Sequence, residues 1–486
     1  MKLRVFLIAS TVLCFACAGL ADVASEEFDD ARSSIFIAPY GNDEAKGTIM
    51  APLASLGEAA RRAKPGDTIF VRGGLYTNKG YLDGDLRKKG GTQDIICSGT
   101  EEHPIAIRPY GDERPLYRFD GPLAIRISGD HIIFEGFEVE GVAQFIDPEE
   151  ALESWWDADA PSFYNGNGIV VNGNHVTVQD CVIHDVPAKA LGSSGGDHIL
   201  FQRNIVYNSS WWTTKGANSF SLMDVNDSVV DVETRMTARQ NLIFACEQRI
   251  FSRIWGKGFA TLTIDESPGL HVQINDGDYS GRILLEENVC LYNGKGGLGV
   301  NHSDRVDLVR NTFYLNGSTV SSGRSGIYAQ SAEYCSFIGN AIEVREGHSA
   351  FDIQPEGNVF SGNYIVEISA LSRLPKAGAM RVSRLFRDPE RFDFRLVEGL
   401  PAEVGASSET LEFFRRRIAE YGVKVLPSGY SVDEAGMTRH LLEHAPEGAS
   451  IDYSAWPREV RVTFPSGSIH PAGPEIKLKL RIDPKK

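Results

Sequence analysis

The chain has 486 residues and a formal net charge of -16, with 49 lysines and arginines against 65 aspartates and glutamates. This length allows one large domain with an appendage. The acidic balance argues against a nucleic acid as partner, because phosphate backbones attract basic surfaces. It does not exclude a local basic site for an anionic substrate.

The N-terminal segment has the composition of an export signal. Lys2 and Arg4 precede the apolar run VFLIASTVLCFACAGLA, and the acidic sequence DVASEEFDD follows. Residues 1–22 are therefore predicted to be the signal peptide of a secreted or periplasmic protein. Phe15 stands where a lipoprotein signal needs a small residue, which disfavours a lipid anchor on Cys17. No stretch is long and apolar enough to predict a membrane span.

The next segment, residues 34–76, predicts a strand, a loop, an amphipathic helix over residues 53–63 and a second strand over residues 68–72. Pro65 and Gly66 end the helix. We expect this helix to cover the open end of a stack of strands, where backbone groups would otherwise be unpaired.

A repeated unit dominates the middle of the chain. Residues 280–317 contain ILLEEN followed by VCLYNG and then VDLVRN followed by TFYLNG, so that Asn288 and Asn311 are 23 positions apart. Such a spacing, with short alternating strands between Asn, Gly and Asp, is typical of coils that stack on one another. Equivalent positions are Phe137, Cys181, Asn204, Asn241, Asn288, Asn311, Asn340 and Asn363. Asn tolerates a left-handed turn and can bond to the Asn of the neighbouring coil.

The opening segment together with these coils resembles the right-handed parallel β-helix proteins, many of which are secreted polysaccharide lyases and glycoside hydrolases. The resemblance covers residues 34–406 and includes a closing segment, SRLFRDPERFDFRLVEGLPAEVGA. It implies an all-β, single-stranded right-handed parallel β-helix with an N-terminal capping helix. Residues 407–486 then form a small C-terminal extension, which begins with a helix over residues 408–421. We expect a monomer.

Within each strand, residues of one parity are apolar and should fill the interior of the coil. Leu298 and Val300 should point inward, whereas Gly299 and Asn301 should face water. Five cysteines follow the signal peptide without a CxxC pair, so neither a disulfide framework nor a zinc site is indicated. Several of them are expected to be buried thiols.

Three long insertions should leave the coil at one corner, because each follows an Asn-bearing strand. They are residues 143–164, 209–217 and 247–268, and they carry five of the six tryptophans. Exposed indoles can bind the apolar faces of sugar rings, and nearby cations can bind a carboxylate or sulfate. The predicted substrate-binding residues are Trp155, Trp156, Trp211, Trp212, Arg249, Arg253, Trp255 and Lys257. Both the tryptophans and the cations could instead be structural.

The opposite edge is predicted to carry a line of carboxylates. Its members are Asp197, Asp224, Asp227, Asp276, Asp278 and Asp304, with His302 beside them. Asx turns alone could explain each aspartate. Stacked together, Asp224, Asp276 and Asp278 could bind calcium through oxygen ligands.

The residues allow several chemistries on an anionic polysaccharide or oligosaccharide. A lyase would neutralise the uronate carboxylate and remove the proton at C5, with Lys215 and His302 sharing proton transfer. A hydrolase would need paired carboxylates such as Asp276 and Asp304. An epimerase or a non-catalytic glycan-binding surface protein stays open. The NKS, RHG, SDDG and DPH motifs of related enzymes are absent, so the resemblance assigns no catalytic residue.

Overall fold

The computed structural model is a coil of parallel strands that form three long sheets. The structure describes residues 33–78, 91–153, 162–223, 225, 227, 230–256, 259–264, 266–275, 279–319, 324–354, 356–368, 372, 378–430, 433–443, 450–452 and 460–463. The chain passes from sheet I to sheet II to sheet III and back to sheet I, and each such turn is called a rung below.

The strands of sheet I lie in the order β1 (Ser34–Ile37), β2 (Thr68–Val71), β5 (Ile105–Pro109), β8 (Ile132–Glu135), β11 (Val176–Gln179), β14 (Ile199–Gln202), β17 (Thr234–Arg239), β22 (Arg282–Glu286), β25 (Val306–Val309), β28 (Ser336–Ile338) and β31 (Val359–Ser361). Those of sheet II are β3 (Gly74–Thr77), β6 (Pro115–Arg118), β9 (Glu138–Glu140), β12 (Val182–His184), β15 (Ile205–Tyr207), β18 (Leu242–Phe244), β23 (Val289–Leu291), β26 (Thr312–Tyr314), β29 (Ala341–Glu343), β32 (Asn363–Val366) and β33 (Ala379–Arg381). Those of sheet III are β4 (Gln93–Ile95), β7 (Leu123–Ile127), β10 (Asn167–Val171), β13 (Leu191–Ser194), β16 (Phe220–Met223), β21 (Leu270–Gln273), β24 (Leu298–Asn301), β27 (Arg324–Gln330) and β30 (Ser349–Asp352).

The interior of the coil is filled by apolar side chains of one parity, as predicted. Leu298 and Val300 are fully buried and pair in register with Leu270 and Val272 of the preceding rung. The expectation that Gly299 faces water is wrong. Gly299 is buried because the ring of Tyr328 lies over it.

The asparagine ladder is confirmed at the corner between sheets I and II. Asn241 Nδ2 donates to Asn288 Oδ1 at 2.9 Å, and Asn288 Nδ2 donates to Asn311 Oδ1 at 3.0 Å. The ladder runs through Asn204, Asn241, Asn288, Asn311, Asn340 and Asn363, all of them fully buried. Each amide therefore supplies hydrogen bonds at a corner where the strand ladders are interrupted.

The left-handed backbone at this corner belongs to a different residue from the one predicted. Arg203, Gln240, Glu287 and Arg310 have φ values of 54°, 53°, 51° and 55°, and each directly precedes a ladder asparagine. The preceding residue makes the turn, so that the asparagine side chain can point inward. The asparagines themselves are not among the residues with positive φ.

Helix α1 (Leu56–Arg62) lies at the N-terminal end of the coil, where the sequence predicts a cap. Ser55 caps the helix by accepting a hydrogen bond from the backbone N–H of Glu58. Leu56, Ala59 and Ala60 are buried in the same core as the first strands. The helix contacts β1 and β4, and so covers the first rung.

The C-terminal segment covers the outer face of sheet II. Helix α3 (Ser408–Glu420) buries Leu411, Phe414 and Ile418 in a cluster that includes residues of sheet II, and the hairpin β34 (Phe386–Asp388) and β35 (Asp393–Leu396) joins the same cluster. Helix α4 (Glu434–Glu443) contacts helix α2 (Pro148–Glu153) of the first insertion.

Strands near the C terminus join the third insertion. Within residues 247–268, β19 (Ser252–Gly256) and β20 (Phe259–Thr263) form an antiparallel hairpin. Strand β37 (Val460–Thr463) pairs with β20, and β36 (Ser450–Asp452) pairs with β37. Across the described residues, no helix is long and apolar enough to cross a membrane.

The five cysteines that follow residue 22, Cys97, Cys181, Cys246, Cys290 and Cys335, are buried free thiols. This confirms the interpretation of several of them as interior residues.

Candidate functional site

The three insertions meet at the corner between sheets II and III, which confirms the prediction of a common corner. Trp212 Nε1 donates to the carbonyl oxygen of Ala143 at 2.7 Å, joining the second insertion to the first. The backbone N–H of Arg249 donates to the carbonyl oxygen of Trp211 at 2.9 Å, joining the third to the second.

Two of the predicted sugar-binding indoles are buried. Trp211 is 9% exposed and Trp212 is 3% exposed, so the expectation that they form an exposed platform is wrong. The Arg249 guanidinium lies 3.4 Å from the ring centroid of Trp211 and 4.4 Å from that of Tyr430. The guanidinium thus makes cation–π contacts with both rings, and it covers the indole of Trp211.

Arg249 already has an anionic partner. Its Nε donates to Glu247 Oε1 at 2.9 Å. Burial lowers the pKa of Arg249, although the neighbouring Glu247 opposes this effect. A guanidinium that is paired and sandwiched in this way holds the C-terminal segment at Tyr430 against the insertions, and is not available to a substrate carboxylate.

The remaining predicted binding residues are not placed by the structure. Trp155, Trp156 and Lys257 lie outside the described residues. Arg253 and Trp255 belong to β19, but their side chains lie outside the described part.

At the edge between sheets III and I, two of the predicted aspartates form ion pairs with one arginine. Asp197 is fully buried and accepts hydrogen bonds from Arg235 Nη1 at 2.8 Å and from the Tyr279 hydroxyl at 3.0 Å. Asp227 also pairs with Arg235. Asp304 accepts a hydrogen bond from the backbone N–H of Glu333 at 2.8 Å. Asp197 and Asp227 are thus paired with Arg235, and Asp304 has a backbone partner.

The calcium prediction concerns residues that the structure does not describe. Asp224, Asp276 and Asp278 all lie outside the described residues, so a metal site there stays a prediction. Elsewhere, within the residues that are described, no three His, Cys, Asp or Glu side chains gather as a group that could hold a metal ion.

Lys215 and His302 are not brought together. Both are exposed, Lys215 in the loop before β16 and His302 directly after β24. They lie at opposite edges of sheet III and two rungs apart. A four-residue strand separates these edges by about 13 Å, because the chain enters sheet III at one edge and leaves it at the other.

The outer face of sheet III instead presents a row of residues in register. Gly192, Ser221, His271, Gly299 and Tyr328 occupy successive rungs on β13, β16, β21, β24 and β27. A Cβ atom at Gly299 would lie 2.3 Å from the Tyr328 ring, so only glycine accommodates that ring. His271 therefore stands between the small residues Ser221 and Gly299.

His271 is buried without a partner. It is 1% exposed, and in the described part of the chain neither ring nitrogen has a hydrogen-bond partner. The hydroxyl of Ser221 on the adjacent rung is buried and also lacks a partner there. An unsatisfied buried polar group costs about 1–3 kcal/mol, so a purely structural role explains this pair poorly.

Two buried lysines flank His271. Lys189 Nζ lies 3.2 Å from Met223 Sδ on β16, and Lys295 Nζ lies 3.8 Å from Glu266 Oε2 and 5.3 Å from the ring centroid of Tyr328. Burial, together with the charges of Lys295 and Lys189, lowers the pKa of His271 well below 6.5. The imidazole is therefore neutral at neutral pH.

The sequence contains a weak signal for these residues. Lys189 in AKALG and Lys295 in GKGGLG each stand two or three residues before the first residue of a sheet III strand. His271 and Tyr328 occupy the outward parity of LHVQ and GIYAQ. The signal is weak because single residues on the outward positions of strands are normally solvated.

Residues 35–225 match the family model described as Pel9A-like, right handed beta helix region. Together with three long parallel sheets, this match decides the fold class. The chain is a right-handed parallel β-helix protein.

Relatives of this β-helix protein include pectate lyase PEL9 of Emericella nidulans, 30% identical over 115 residues, which cover 24% of this chain and 21% of that enzyme. The uncharacterized protein YwoF of Bacillus subtilis is 24% identical over 203 residues, covering 40% of this chain and 37% of that protein. The chain thus matches about a fifth and about a third of these relatives. The crystal structure of pectate lyase Pel9A is similar with a TM-score of 0.43 and 15% identity, covering 76% of this chain and 90% of that one.

Proposed function

We propose that this β-helix protein is an exported polysaccharide lyase that cleaves a uronate-containing polysaccharide by β-elimination on the outer face of sheet III. The observation that carries the proposal is His271, a fully buried imidazole that has no hydrogen-bond partner among the described residues and is affected by the charges of the buried Lys189 and Lys295. The similarity to pectate lyase PEL9 and the matching family model support the same reaction class.

The lysines fit the first requirement of the reaction. The proton at C5 of a uronate becomes removable when the adjacent carboxylate is neutralised by cations. Lys189 and Lys295 approach the row from the same edge of sheet III, on either side of the His271 rung. In the proposal the substrate carboxylate binds both ammonium groups and displaces Glu266, whose Oε2 lies 3.8 Å from Lys295 Nζ in the free protein.

Binding of the carboxylate also prepares the base. The charges of Lys295 and Lys189 depress the pKa of His271 in the free protein. A bound carboxylate offsets these charges, so the pKa of His271 rises in the complex and the neutral imidazole becomes a better proton acceptor.

His271 accepts the proton from C5, the C4–oxygen bond breaks, and a double bond forms between C4 and C5. The Tyr328 hydroxyl donates a proton to the departing glycosidic oxygen; its ring lies 6.0 Å from that of His271. The resulting imidazolium and phenolate then neutralise each other through water.

Substrate access requires a local opening. Because His271 is 1% exposed, a polymer that reaches it must displace the side chains that cover it. Movements of this kind exclude water during the reaction in many enzymes.

The decisive experiment incubates the purified full chain with polygalacturonate, with alginate and with a neutral xylan, and records the ultraviolet absorbance of the unsaturated product. We expect absorbance to rise with an anionic polymer only. New reducing ends without this absorbance would indicate a hydrolase instead. Exchange of the C5 proton for deuterium without chain cleavage would indicate an epimerase, and binding without any reaction would indicate a non-catalytic glycan-binding protein.

A further inference from the structure

We propose that the open cleft beside His271 binds additional charged sugar units of the substrate, and that Arg126 recognises one of them. This inference rests on the proposed function, and it extends the recognised substrate from one uronate unit to a run of them.

The cleft lies on the outer face of sheet III over β7, β10 and β13. It has a volume of about 520 Å³ and is lined by Leu123, Arg126, Asn167, Val170, Asn172, Lys189 and Ser194. Lys189 belongs both to this lining and to the surroundings of His271. Lys189 thus links the cleft to the proposed site.

The register of sheet III places the basic residues along one line. Arg126 pairs in register with Val170, which pairs with Gly192, and the row continues through Ser221 to His271. Arg126 is thus four rungs from His271, about 19 Å at the rise of a parallel strand pair. Lys189 precedes the strand that lies halfway between them. A sugar chain bound along the coil axis would meet positive charge at intervals.

Arg126 is available to a ligand. Its partner is Asp94, 3.4 Å away, and the side chains of both are 46% exposed. An exposed ion pair of this kind contributes little to stability, so a substrate carboxylate can replace Asp94. A guanidinium also binds a carboxylate through two parallel hydrogen bonds, which gives geometric selectivity.

The rest of the lining can bind sugar hydroxyl groups. Asn167 Nδ2 donates to the carbonyl oxygens of Pro122 and Asn165, each at 3.3 Å, and Asn172 Nδ2 donates to the carbonyl oxygen of Ser194. These bonds hold the two amide groups at the cleft. The guanidinium of Arg126 can bind a carboxylate, whereas the amides and the hydroxyl of the lining can bind sugar hydroxyl groups. Such a lining suits a chain in which carboxylates alternate with hydroxyl-rich surfaces.

The test measures binding and cleavage separately. Dissociation constants are determined for polygalacturonate and alginate oligomers of defined length, in a His271→Gln background that prevents turnover. Arg126→Gln is compared with Arg108→Gln. Arg108 forms a similar ion pair with Glu135 at 3.0 Å, is 42% exposed, and lies on sheet I away from the cleft.

We expect Arg126→Gln to raise the dissociation constant of long oligomers about tenfold and to leave that of a dimer unchanged. In the otherwise wild-type enzyme it should raise KM for the polymer without changing kcat. Arg108→Gln should behave as the parent protein, and melting temperatures should not change for either variant.

Other results overturn the inference in distinguishable ways. If the wild type cleaves a polyuronate but Arg126→Gln binds long oligomers as the parent does, the inference fails and the proposed lyase stands. If Arg108→Gln weakens binding equally, the effect is one of general charge and the inference fails. If the wild type neither cleaves nor binds any of these oligomers, both proposals fail.

Discussion

His271 and Arg249 are both buried polar side chains, and their partners separate their roles. Arg249 donates a hydrogen bond to Glu247, which neutralises its charge, and its guanidinium packs against the rings of Trp211 and Tyr430. His271 has no such partner within the described residues. A buried group that is fully satisfied supports the fold, whereas one that is not satisfied is a candidate for ligand contact.

The first prediction concerns His271. Replacing it with Gln should lower kcat by about 10²–10⁴, because the proton acceptor is lost. The melting temperature should stay close to that of the wild type, since one neutral polar side chain replaces another at the same buried position. Initial rates on the cleaved polyuronate and thermal unfolding are the measurements.

His302→Gln is the matched control, because His302 is exposed at the edge of sheet III. It should retain wild-type activity. The assignment of the base to His271 is refuted if His271→Gln keeps more than about a tenth of the wild-type rate, or if His302→Gln loses activity to the same degree.

At the scale of the element, the asparagine ladder shows how one side chain serves two rungs. Asn288 Oδ1 accepts from both the backbone N–H and the side chain of Asn241, and its Nδ2 donates to the carbonyl oxygen of Ala238. At the corner between sheets I and II the asparagine side chains thus bond to the backbone of neighbouring rungs, and so the ladder fixes the register of successive rungs.

The second prediction is that Asn288→Ala lowers the free energy of unfolding by roughly 2–5 kcal/mol, because it leaves buried backbone groups of Asn241 and Ala238 unpaired. Urea unfolding measures the change. Asn42→Ala, at an exposed turn position, should change it by less than about 0.5 kcal/mol. Equal effects of the two substitutions would show that a ladder asparagine contributes no more to the free energy of unfolding than an exposed asparagine does.

A second ladder consists of three histidines at the corner between sheets III and I. The rings of His131 and His175 are stacked at 4.5 Å and those of His175 and His198 at 4.4 Å. Burial, then the charges of His198 and His131, lowers the pKa of His175, while Asp130 and Asp197 act in the opposite direction. The central ring therefore resists protonation in the folded protein.

The third prediction follows from the sign of this shift. Below the unfolded pKa of about 6.5, the unfolded chain takes up a proton that folded His175 refuses, so stability falls as pH falls. His175→Asn should make the loss of stability between about pH 7 and about pH 5 less steep. Urea unfolding across this range tests it, with the exposed His103→Asn as control. An unchanged slope in His175→Asn would contradict the prediction.

At the scale of the whole molecule, the C-terminal segment contributes to two regions of the β-helix. Helix α3 covers sheet II, and strand β37 extends the hairpin β19–β20 of the third insertion. That hairpin leads directly into β21, which carries His271. The segment thus supports the proposed site from the far end of the chain.

The fourth prediction is that truncation after Glu443, which removes β36 and β37, lowers kcat/KM while the coil stays folded. The hairpin loses the hydrogen bonds of its edge strand, whereas the three long sheets keep all of theirs. Far-ultraviolet circular dichroism, thermal unfolding and polyuronate cleavage measure the outcome. Full activity of the truncated chain would show that the tail does not support the site.

The sequence by itself determined the coil, because its causes are local. A spacing of 23 between Asn288 and Asn311, strand alternation and the position of the insertions after Asn-bearing strands predict stacked rungs with one elaborated corner. Each of these features is a short-range pattern that repeats in register, so that one unit predicts its neighbours. The helix that caps the first rung is signalled in the same way by its own periodicity.

Only the tertiary structure decided the site. Lys189, His271, Lys295 and Tyr328 come from four different rungs, and nothing in their local sequence states that they share one buried face. The burial of Trp211 and Trp212 is also a tertiary feature, because Arg249 and the distant Tyr430 pack around these indoles. Burial and pairing depend on contacts between residues far apart in the chain, and such contacts leave no periodic trace in the sequence.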